Sequence, residues 1–498
     1  MAETAKGQAP SAIKIGKKAF LFSAGIILAL MIVSGILTLV LPAGEYQRVV
    51  QDGKTLVVDG TYQQIPRPAY PFWRWFTAPI EILFAPGNVA LITIIIFIVC
   101  VGGSIAILEG AGVMEELVKI LVHRFRTQKY RLAALVIFFF MAVSSFIGVF
   151  EGMVPMIIFL VPLAISLGWD SLTGLGISLL PLAFGFASAV TNPFTIAVAQ
   201  KIADLPLFSG AWLRIIFFVV VYGLVTFFVI HHAKKVEKNP RLSPTFADDE
   251  ILRQSLLKDE SERANVKTDP VQEKQAALAK GKALIWFAIC VGIAMAIVLF
   301  TARIPGLSDL AFPVMALLFL VGGVGGGKIA GFSGKQIAKT FARGAGNLAP
   351  GIVLILMAYS VKHIILSGKI MDTILFGAAS MIRQSSSIVA AFLIYLTTLV
   401  MNFFVGSASA KAFLMMPLLT PLADLVGITR QTAVLAFDFG DGFSNMIFPT
   451  NALLLIALSF TCVSYPRWMA WTWKLQVAIL VITSAFLAFA VAIGFGPF

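Results

Sequence analysis

The chain has 498 residues, of which 59% are hydrophobic and only 13% are charged. Soluble domains carry about 25% charged residues, so this composition excludes a soluble enzyme or binding module and makes the bilayer the solvent. The net charge of +13 does not indicate a nucleic-acid partner, because the basic residues cluster in short loops between apolar runs. The three cysteines and four histidines lack metal or disulfide spacing, so we expect no cofactor.

The apolar runs predict about ten membrane segments at roughly 20 residues each. Lys14, Lys17 and Lys18 precede the first run, which places the N-terminus in the cytoplasm. We therefore predict an all-α, multi-pass protein of the bacterial inner membrane. The predicted parts are a cytoplasmic N-terminus (1–18), a first membrane repeat (19–232), a charged cytoplasmic linker (233–281) and a second membrane repeat (282–498).

Four apolar stretches are interrupted by polar residues. Stretches 131–168 and 387–427 are too long for one crossing and carry small and polar residues near their middles, which predicts two re-entrant helical hairpins. Stretches 171–200 and 430–460 predict two discontinuous helices. In the first, Pro193 follows a polar pair, and proline removes a helix donor and frees a carbonyl.

Outside the apolar runs, residues 44–85 contain two Asp-Gly turns and a tryptophan-rich stretch. This pattern predicts a small external hairpin followed by an interfacial aromatic belt. We interpret the region as scaffold.

The two halves of the chain share an internal repeat. Pro162-Leu163-Ala164 matches Pro421-Leu422-Ala423 at an offset of 259 residues, and the same offset places Thr191-Asn192 on Thr450-Asn451. An odd number of predicted spans separates the copies, so the second copy is predicted to be inverted.

Inverted repeats with paired broken helices are typical of secondary transporters, whose sites form near the membrane midplane. Half-helix N-termini present free N–H groups to an anion. Freed carbonyls with Ser, Thr and Asn oxygens could strip the hydration shell from sodium. The sequence therefore predicts ion-coupled transport of a small polar solute across the lipid bilayer.

Several motifs resemble the YfcC family of transporters, related to the anaerobic C4-dicarboxylate carriers of the ion-transporter superfamily. They are Thr191-Asn192-Pro193-Phe194 with Val198-Ala199-Gln200, the run from Asn402 to Ala412, Met416-Pro417-Leu418-Leu419, and Phe439 to Ser444 followed by Pro449-Thr450. The resemblance implies a scaffold domain and a mobile domain that work as a homodimer by an elevator-like motion. Lys411 and Asp438 depart from the residues expected of some relatives.

Ionisable residues at membrane depth are costly and are functional candidates by default. The predicted substrate-binding residues are Ser145, Glu151, Thr191, Asn192, Ser407, Ser409, Lys411, Asn445, Thr450 and Asn451. The predicted ion-coupling residues are Ser188, Asp438, Asp441 and Ser444.

The charged candidates leave alternatives open. Lys411 could bind a substrate carboxylate or form an internal ion pair with an aspartate. Asp441 could ligate sodium, carry a proton, hold a substrate ammonium or cap a helix, and Glu151 is its counterpart on the first hairpin. A carboxylate solute such as a C4-dicarboxylate with sodium is the first expectation, with proton coupling next.

Other functions remain as alternatives. Antiport of amino acids, including basic ones, competes with transport of an organic anion. A channel is disfavoured because inverted broken helices suit alternating access, and no nucleophile–base pair or metal set indicates a membrane enzyme.

Overall fold

The computed structural model describes residues 17–51, 54–85, 88–113, 116, 128–251, 253–254, 270–301 and 311–496. Within these residues ten helices are long and apolar enough to cross a membrane. This confirms the predicted helical membrane class and the predicted number of segments. Residues 1–16 of the predicted N-terminus and 255–269 of the predicted linker lie outside the described part.

The helices of the first half follow the predicted segments. They are α1 (Lys17–Val40), α2 (Arg74–Phe84), α3 (Val89–Gly110), α4 (Lys129–Ala142), α5 (Ile157–Ser166), α6 (Ser171–Ser188), α7 (Ile196–Ile202) and α8 (Ala211–Lys238). A π turn (Val143–Ile147) and a 3-10 helix (Glu151–Met156) separate α4 from α5. A second 3-10 turn, Pro240–Leu242, follows α8.

The second half of the chain is also helical. Its helices are α9 (Pro270–Thr301), α10 (Ala311–Ile329), α11 (Gly334–Asn347), α12 (Ala349–Ser367), α13 (Met371–Arg383), α14 (Ser387–Phe404), α15 (Ala408–Val426), α16 (Arg430–Asp441), α17 (Ala452–Ser459) and α18 (Tyr465–Ala492). A 3-10 helix, Phe443–Met446, lies between α16 and α17.

Four short strands form the predicted hairpin region. Strand β2 (Arg48–Gln51) pairs antiparallel with β3 (Lys54–Val57), and β1 (Gly44–Glu45) pairs with β4 (Gln63–Gln64). Two helices were not predicted. Arg74–Phe84 lies in the region that the sequence predicts to be an external hairpin and aromatic belt. Gly334–Asn347 begins with a capping box formed by Ser333 and Gln336.

The helices pack in two groups. In one group α9 packs on α10, α10 and α11 pack on α3, and α1 and α2 pack on α12. In the other, α4, α5 and α8 pack on α6, α14 packs on α16, and α15 packs on α7. The second group contains both predicted hairpins and both broken helices, and α12 joins it to the first group through α17.

Helix α6 lies at the centre of the second group. Every one of its 18 residues is buried, whereas the other membrane-length helices have at most 61% of their apolar window buried. A helix that is apolar all round and buried all round is shielded from lipid by its neighbours. The first broken helix therefore begins in the densest part of the protein.

The start of α6 is held by part of the linker, residues 239–251, which we call the linker clasp. Asp170 caps α6 by accepting from Thr173 N at 2.8 Å, and it also accepts from Ser243 Oγ at 2.7 Å. His232 Nε2 lies 2.9 Å from the same carboxylate. Asp249 of the clasp accepts from Ser171 N at 3.1 Å. Thus the predicted linker is docked on the first broken helix along this segment.

The carboxylates of Asp170, at the start of α6, and Asp249, in the linker clasp, lie outside the membrane-length helices and differ in their pKa. Burial alone would raise the pKa of Asp170, but hydrogen bonds from His232, Thr173 and Ser243 outweigh it and hold the pKa below its ordinary value. Burial raises the pKa of Asp249 despite hydrogen bonds from Ser171. Asp170 is therefore the anion that stabilises the contact between α6 and the linker clasp at neutral pH.

Replacing Asp170 by Ala removes the cap and leaves donors unpaired, so it should reduce the free energy of unfolding by about 2 kcal/mol. The loss should appear as a lower melting temperature of the purified protein. Because the pKa of Asp170 is lowered on folding, its contribution is present above the ordinary Asp pKa and is lost as the pH falls through the folded value.

The matched control is Glu45→Ala, since the Glu45 side chain is 48% exposed and has a single 3.6 Å contact with Lys369. Equal melting temperatures for the two variants would show that the clasp does not stabilise α6.

Candidate functional site

The first helix break runs from the end of α6 to the start of α7. Ala189 ends α6 in the left-handed region with φ +31°, which a non-glycine residue rarely adopts. Ser145 of the π turn holds the break, because its hydroxyl accepts from Val190 N at 3.2 Å and its carbonyl accepts from Thr191 N at 3.2 Å. Thr191 Oγ1 donates to Phe146 O at 2.8 Å. Polar groups of the hairpin tip and of the break thus form hydrogen bonds with each other.

Arg214 of α8 satisfies the carbonyls that the first break frees. Its guanidinium is fully buried and donates to Ala189 O at 3.1 Å and to Val190 O at 3.2 Å. It also donates to Ser209 O and Phe208 O at 2.9 and 3.3 Å. The negative end of a helix dipole attracts a cation at the helix C-terminus, so Arg214 stabilises the end of α6.

The second break lies between α16 and α17. Asn451 caps α17, since its Oδ1 accepts from Leu453 N at 2.9 Å and its Nδ2 donates to Asn445 Oδ1 at 2.6 Å. Thr450 Oγ1 donates to Phe403 O of the second hairpin at 2.6 Å. Each break is therefore tied to the hairpin of its own half.

The two halves use the same local contacts at the 259-residue offset. Asn192 Oδ1 accepts from the second and third residues after it, as Asn451 does. The threonine before each asparagine donates to a phenylalanine carbonyl. Gly168 and Gly427 both have left-handed φ, +86° and +72°, where each hairpin ends. The two breaks therefore share one local pattern of hydrogen bonds.

The two broken helices meet backbone to backbone. A Cβ built on Gly442 would lie 2.2 Å from Ala187 Cα and 2.4 Å from Ala187 N. Similarly, a Cβ on Gly185 would lie 2.3 Å from Met141 O, which brings α4 onto α6. Contact at this distance is possible only without a side chain, so glycine sets how closely the breaks approach.

A buried ion pair lies between the second hairpin and the second break. Lys411 of α15 donates to Asp441 Oδ1 and to Asn402 Oδ1, and both charged side chains are fully buried. Asn402 Nδ2 donates to Asp441 O, Ser444 Oγ and Asn445 Oδ1 at 3.1, 2.7 and 3.0 Å. The internal ion pair considered for Lys411 is thus present, and an amide network surrounds it.

Three acidic oxygens near this network have no hydrogen-bond partner among the described residues. They are both oxygens of Asp438 and Oδ2 of Asp441, and the buried hydroxyl of Thr195 also lacks a partner. The Thr195 hydroxyl lies beside the Asp438 carboxylate but does not reach hydrogen-bond geometry with it. Unpartnered buried carboxylate oxygens are rare in proteins and mark a place where a ligand or proton could bind.

The remaining predicted residues divide between caps and the tip. Ser407 is exposed at the second hairpin tip, where its hydroxyl accepts from Ala410 N at 3.4 Å. Ser409 donates to Phe194 O at 2.8 Å and so joins the second hairpin to the first break. Ser188 donates within its own helix to Phe184 O at 2.9 Å. The side chain of Glu151 lies outside the described part, although its backbone begins the 3-10 helix.

Sequence reasoning missed Arg214, Asn402 and Thr195 as site residues. Arg214 is a charged residue within an apolar run, and such residues are functional candidates by the same rule that selects the aspartates. It was overlooked because Arg214 follows the start of its helix, where a cation is ordinarily a topology signal. Asn402 precedes the hairpin tip, and its role depends on contacts with residues 39 to 43 positions away.

The chain is similar to one family model and to two proteins over most of its length. A family model described as the C4-dicarboxylate anaerobic carrier, DcuC, matches residues 21–492. The YfcC protein of Escherichia coli (strain K12), described provisionally as a basic amino acid antiporter, is 31% identical over 382 residues, 76% of this chain and 73% of that protein. An uncharacterized protein of Haemophilus influenzae is 25% identical over 440 residues, 88% of this chain and 82% of that protein.

Two solved transporter structures also align. The YdaH transporter of Alcanivorax borkumensis covers 96% of this chain and 99% of its own at 19% identity and a TM-score of 0.38. MtrF of Neisseria gonorrhoeae, described as one of a class of antimetabolite efflux pumps, covers 95% of each chain at 16% identity and a TM-score of 0.40.

Gly442→Ala should disrupt the crossing of the two breaks. Its φ of −66° is ordinary, so the effect comes from the clash with the Ala187 backbone alone. We expect a loss of stability of about 1–3 kcal/mol or more, measured as a lower melting temperature and a smaller folded fraction by size-exclusion chromatography.

Gly223→Ala in α8 is the matched control, because a Cβ there meets nothing within 4 Å. If both variants kept the melting temperature of the parent, the close approach of the breaks would not constrain the fold.

Proposed function

This chain belongs to the C4-dicarboxylate anaerobic carrier family, and we propose that it is a secondary active transporter that binds a small carboxylate-bearing solute beside Lys411. The observation that carries this proposal is a fully buried lysine at membrane depth, next to the tip of a hairpin and the break of a helix. Intramembrane charges are expensive and are retained for function.

Lys411 has bonding capacity left for a solute. An ammonium group has three donors, and among the described residues Lys411 uses two of them, on Asn402 and Asp441. A solute carboxylate could take the third donor, or replace Asp441 as the partner. The side-chain amide of Asn451 lies in the same network and donates to Asn445 Oδ1, which leaves one of its two N–H groups for a solute.

Alternating access is the second part of the proposal. The repeated caps and hairpin contacts support two inverted repeats, and the separation of the helices into two packed groups supports a scaffold that bears a mobile domain. In an elevator-like motion the group with both hairpins would carry the solute. The homodimer implied by the family remains a prediction.

A cation gradient is proposed as the driving force. Sodium coupling was expected from the neutral oxygens at the breaks, but several of these are engaged in internal hydrogen bonds. Asn192 Oδ1 and Asn451 Oδ1 cap helices, and the Ser188 hydroxyl donates to its own helix. The buried aspartates are the other candidates for coupling.

Amino acid antiport is the second candidate. The three unpartnered acidic oxygens of Asp438 and Asp441 suit the ammonium or guanidinium group of a basic amino acid, whereas a second solute carboxylate would be repelled there. The description of the E. coli relative as a basic amino acid antiporter points to the same class.

Thermal stabilisation separates these solute classes, because a ligand that binds only the folded state raises the melting temperature. Succinate, fumarate, lactate, alanine, lysine and arginine would each be added with sodium or with choline. We expect a shift with succinate, fumarate or lactate, and a shift confined to lysine and arginine would select the antiporter. No shift with any of them, together with no counterflow in proteoliposomes, would contradict carboxylate transport.

Lys411→Gln should remove solute binding, but it also leaves Asp441 buried without its cation at a cost of about 3–5 kcal/mol. The double variant Lys411→Gln with Asp441→Asn removes both charges and should recover much of the stability. We expect the double variant to fold and to show at least a tenfold weaker affinity for the stabilising solute. Unchanged affinity in the double variant would return Lys411 to a structural role.

A further inference from the structure

Asp438 lies where the two broken helices face each other. It is one turn before Asp441 on α16 and is 1% exposed. Helix α16 packs on α6 and α7, which flank the first break, and on α14, α15 and α18. The side chain of Thr195, the N-cap residue of α7, lies beside the Asp438 carboxylate. This carboxylate is therefore sealed between elements from both halves of the chain.

The charged groups around Asp438 are already engaged elsewhere. Arg214 acts on it electrostatically, but its guanidinium makes four hydrogen bonds to carbonyls and forms no ion pair with Asp438. Lys411 bonds to Asp441, which is the other charge acting on Asp438. Tyr395 of α14 bonds to Thr483. No side-chain cation among the described residues is thus paired with Asp438.

An ionised carboxylate in this position would carry a large desolvation cost with no hydrogen bond to offset it. A cation from outside the protein must therefore neutralise it. A sodium ion needs several oxygen ligands, and among the described residues the unpartnered buried oxygens placed here are those of Asp438 and the hydroxyl of Thr195. A proton needs no ligand shell, so it can neutralise Asp438 with the groups that are present.

We propose that Asp438 is the proton-carrying residue of this transporter, neutral in the occluded form described here and ionised when its surroundings open to water. The inference rests on the proposed function and adds its coupling ion. In each cycle Asp438 takes a proton from water on one side of the membrane and returns it on the other, so no other reactant is required. After a small rotation of its side chain, the Thr195 hydroxyl would accept a hydrogen bond from the protonated Asp438 carboxyl group.

The first test needs no solute. Infrared spectra of the purified protein at pH 7 would be compared for the parent, Asp438→Asn and Thr195→Val. A protonated carboxylic acid has a carbonyl stretching band that an ionised one lacks. We expect Asp438→Asn to lose such a band and Thr195→Val to keep it at a shifted frequency, because Thr195 changes only its hydrogen bonding.

Two spectral outcomes would overturn the proposal. A spectrum of Asp438→Asn with the band unchanged would show that Asp438 is ionised. A band that sodium chloride removes from the parent protein, and choline chloride does not, would assign the site to sodium. Both outcomes leave the proposed solute transport untouched, since neither depends on uptake.

The second test measures coupling in proteoliposomes with a pH-sensitive dye and a gradient of succinate or lysine. The parent should move protons with the solute, Asp438→Asn should lose at least nine-tenths of that movement, and Asp438→Glu should regain part of it. Proton movement retained by Asp438→Asn would overturn the proposal. Loss of both proton and solute movement in Asp438→Asn and Asp438→Glu alike would make Asp438 structural and would also overturn it.

Discussion

The backbone groups freed at the two helix breaks are the constraint on which the rest of this structure depends. No water is present in the hydrocarbon core to satisfy them, so protein groups must do so. Ser145 and Arg214 supply partners at the first break, and Asn451 and Asn445 supply them at the second. The polar residues at membrane depth are thus first a structural requirement, and any solute or ion must share groups that already support the helix ends.

That requirement explains which parts of the protein the sequence could predict. Breaks, caps and turns are local, so Pro193, the Thr-Asn pairs and the glycines predicted the broken stretches. The Thr-Asn pairs are predicted to bind substrate, whereas in the structure their side chains form hydrogen bonds that hold the breaks. The amide and lysine network depends on contacts across tens of residues, so Lys411 was left with two possible partners. Arg214 and the linker clasp escaped because a basic residue near a helix end and a charged linker both resemble topology signals.

The repeated contacts also account for how two halves of weak sequence similarity can form one site. Each hairpin accepts a hydrogen bond from the break of its own half, through Phe146 and Phe403. The halves also contact each other directly near the breaks, where Ser409 donates to Phe194 and Gly442 packs on Ala187. Because the backbone groups of each break are hydrogen-bonded within their own half, the interface between the halves can hold charged groups without leaving backbone groups unpaired.

The interface between the halves holds two cations and two carboxylates, but only one ion pair forms. Lys411 pairs with Asp441, whereas Arg214 donates to carbonyls and Asp438 has no bonded cation among the described residues. A purely structural core would gain by pairing Arg214 with Asp438, since an unpaired buried charge is strongly destabilising. In this protein Arg214 instead donates its hydrogen bonds to backbone carbonyls of the first break. The proton that we propose for Asp438 would supply from solution the charge that this arrangement leaves unpaired.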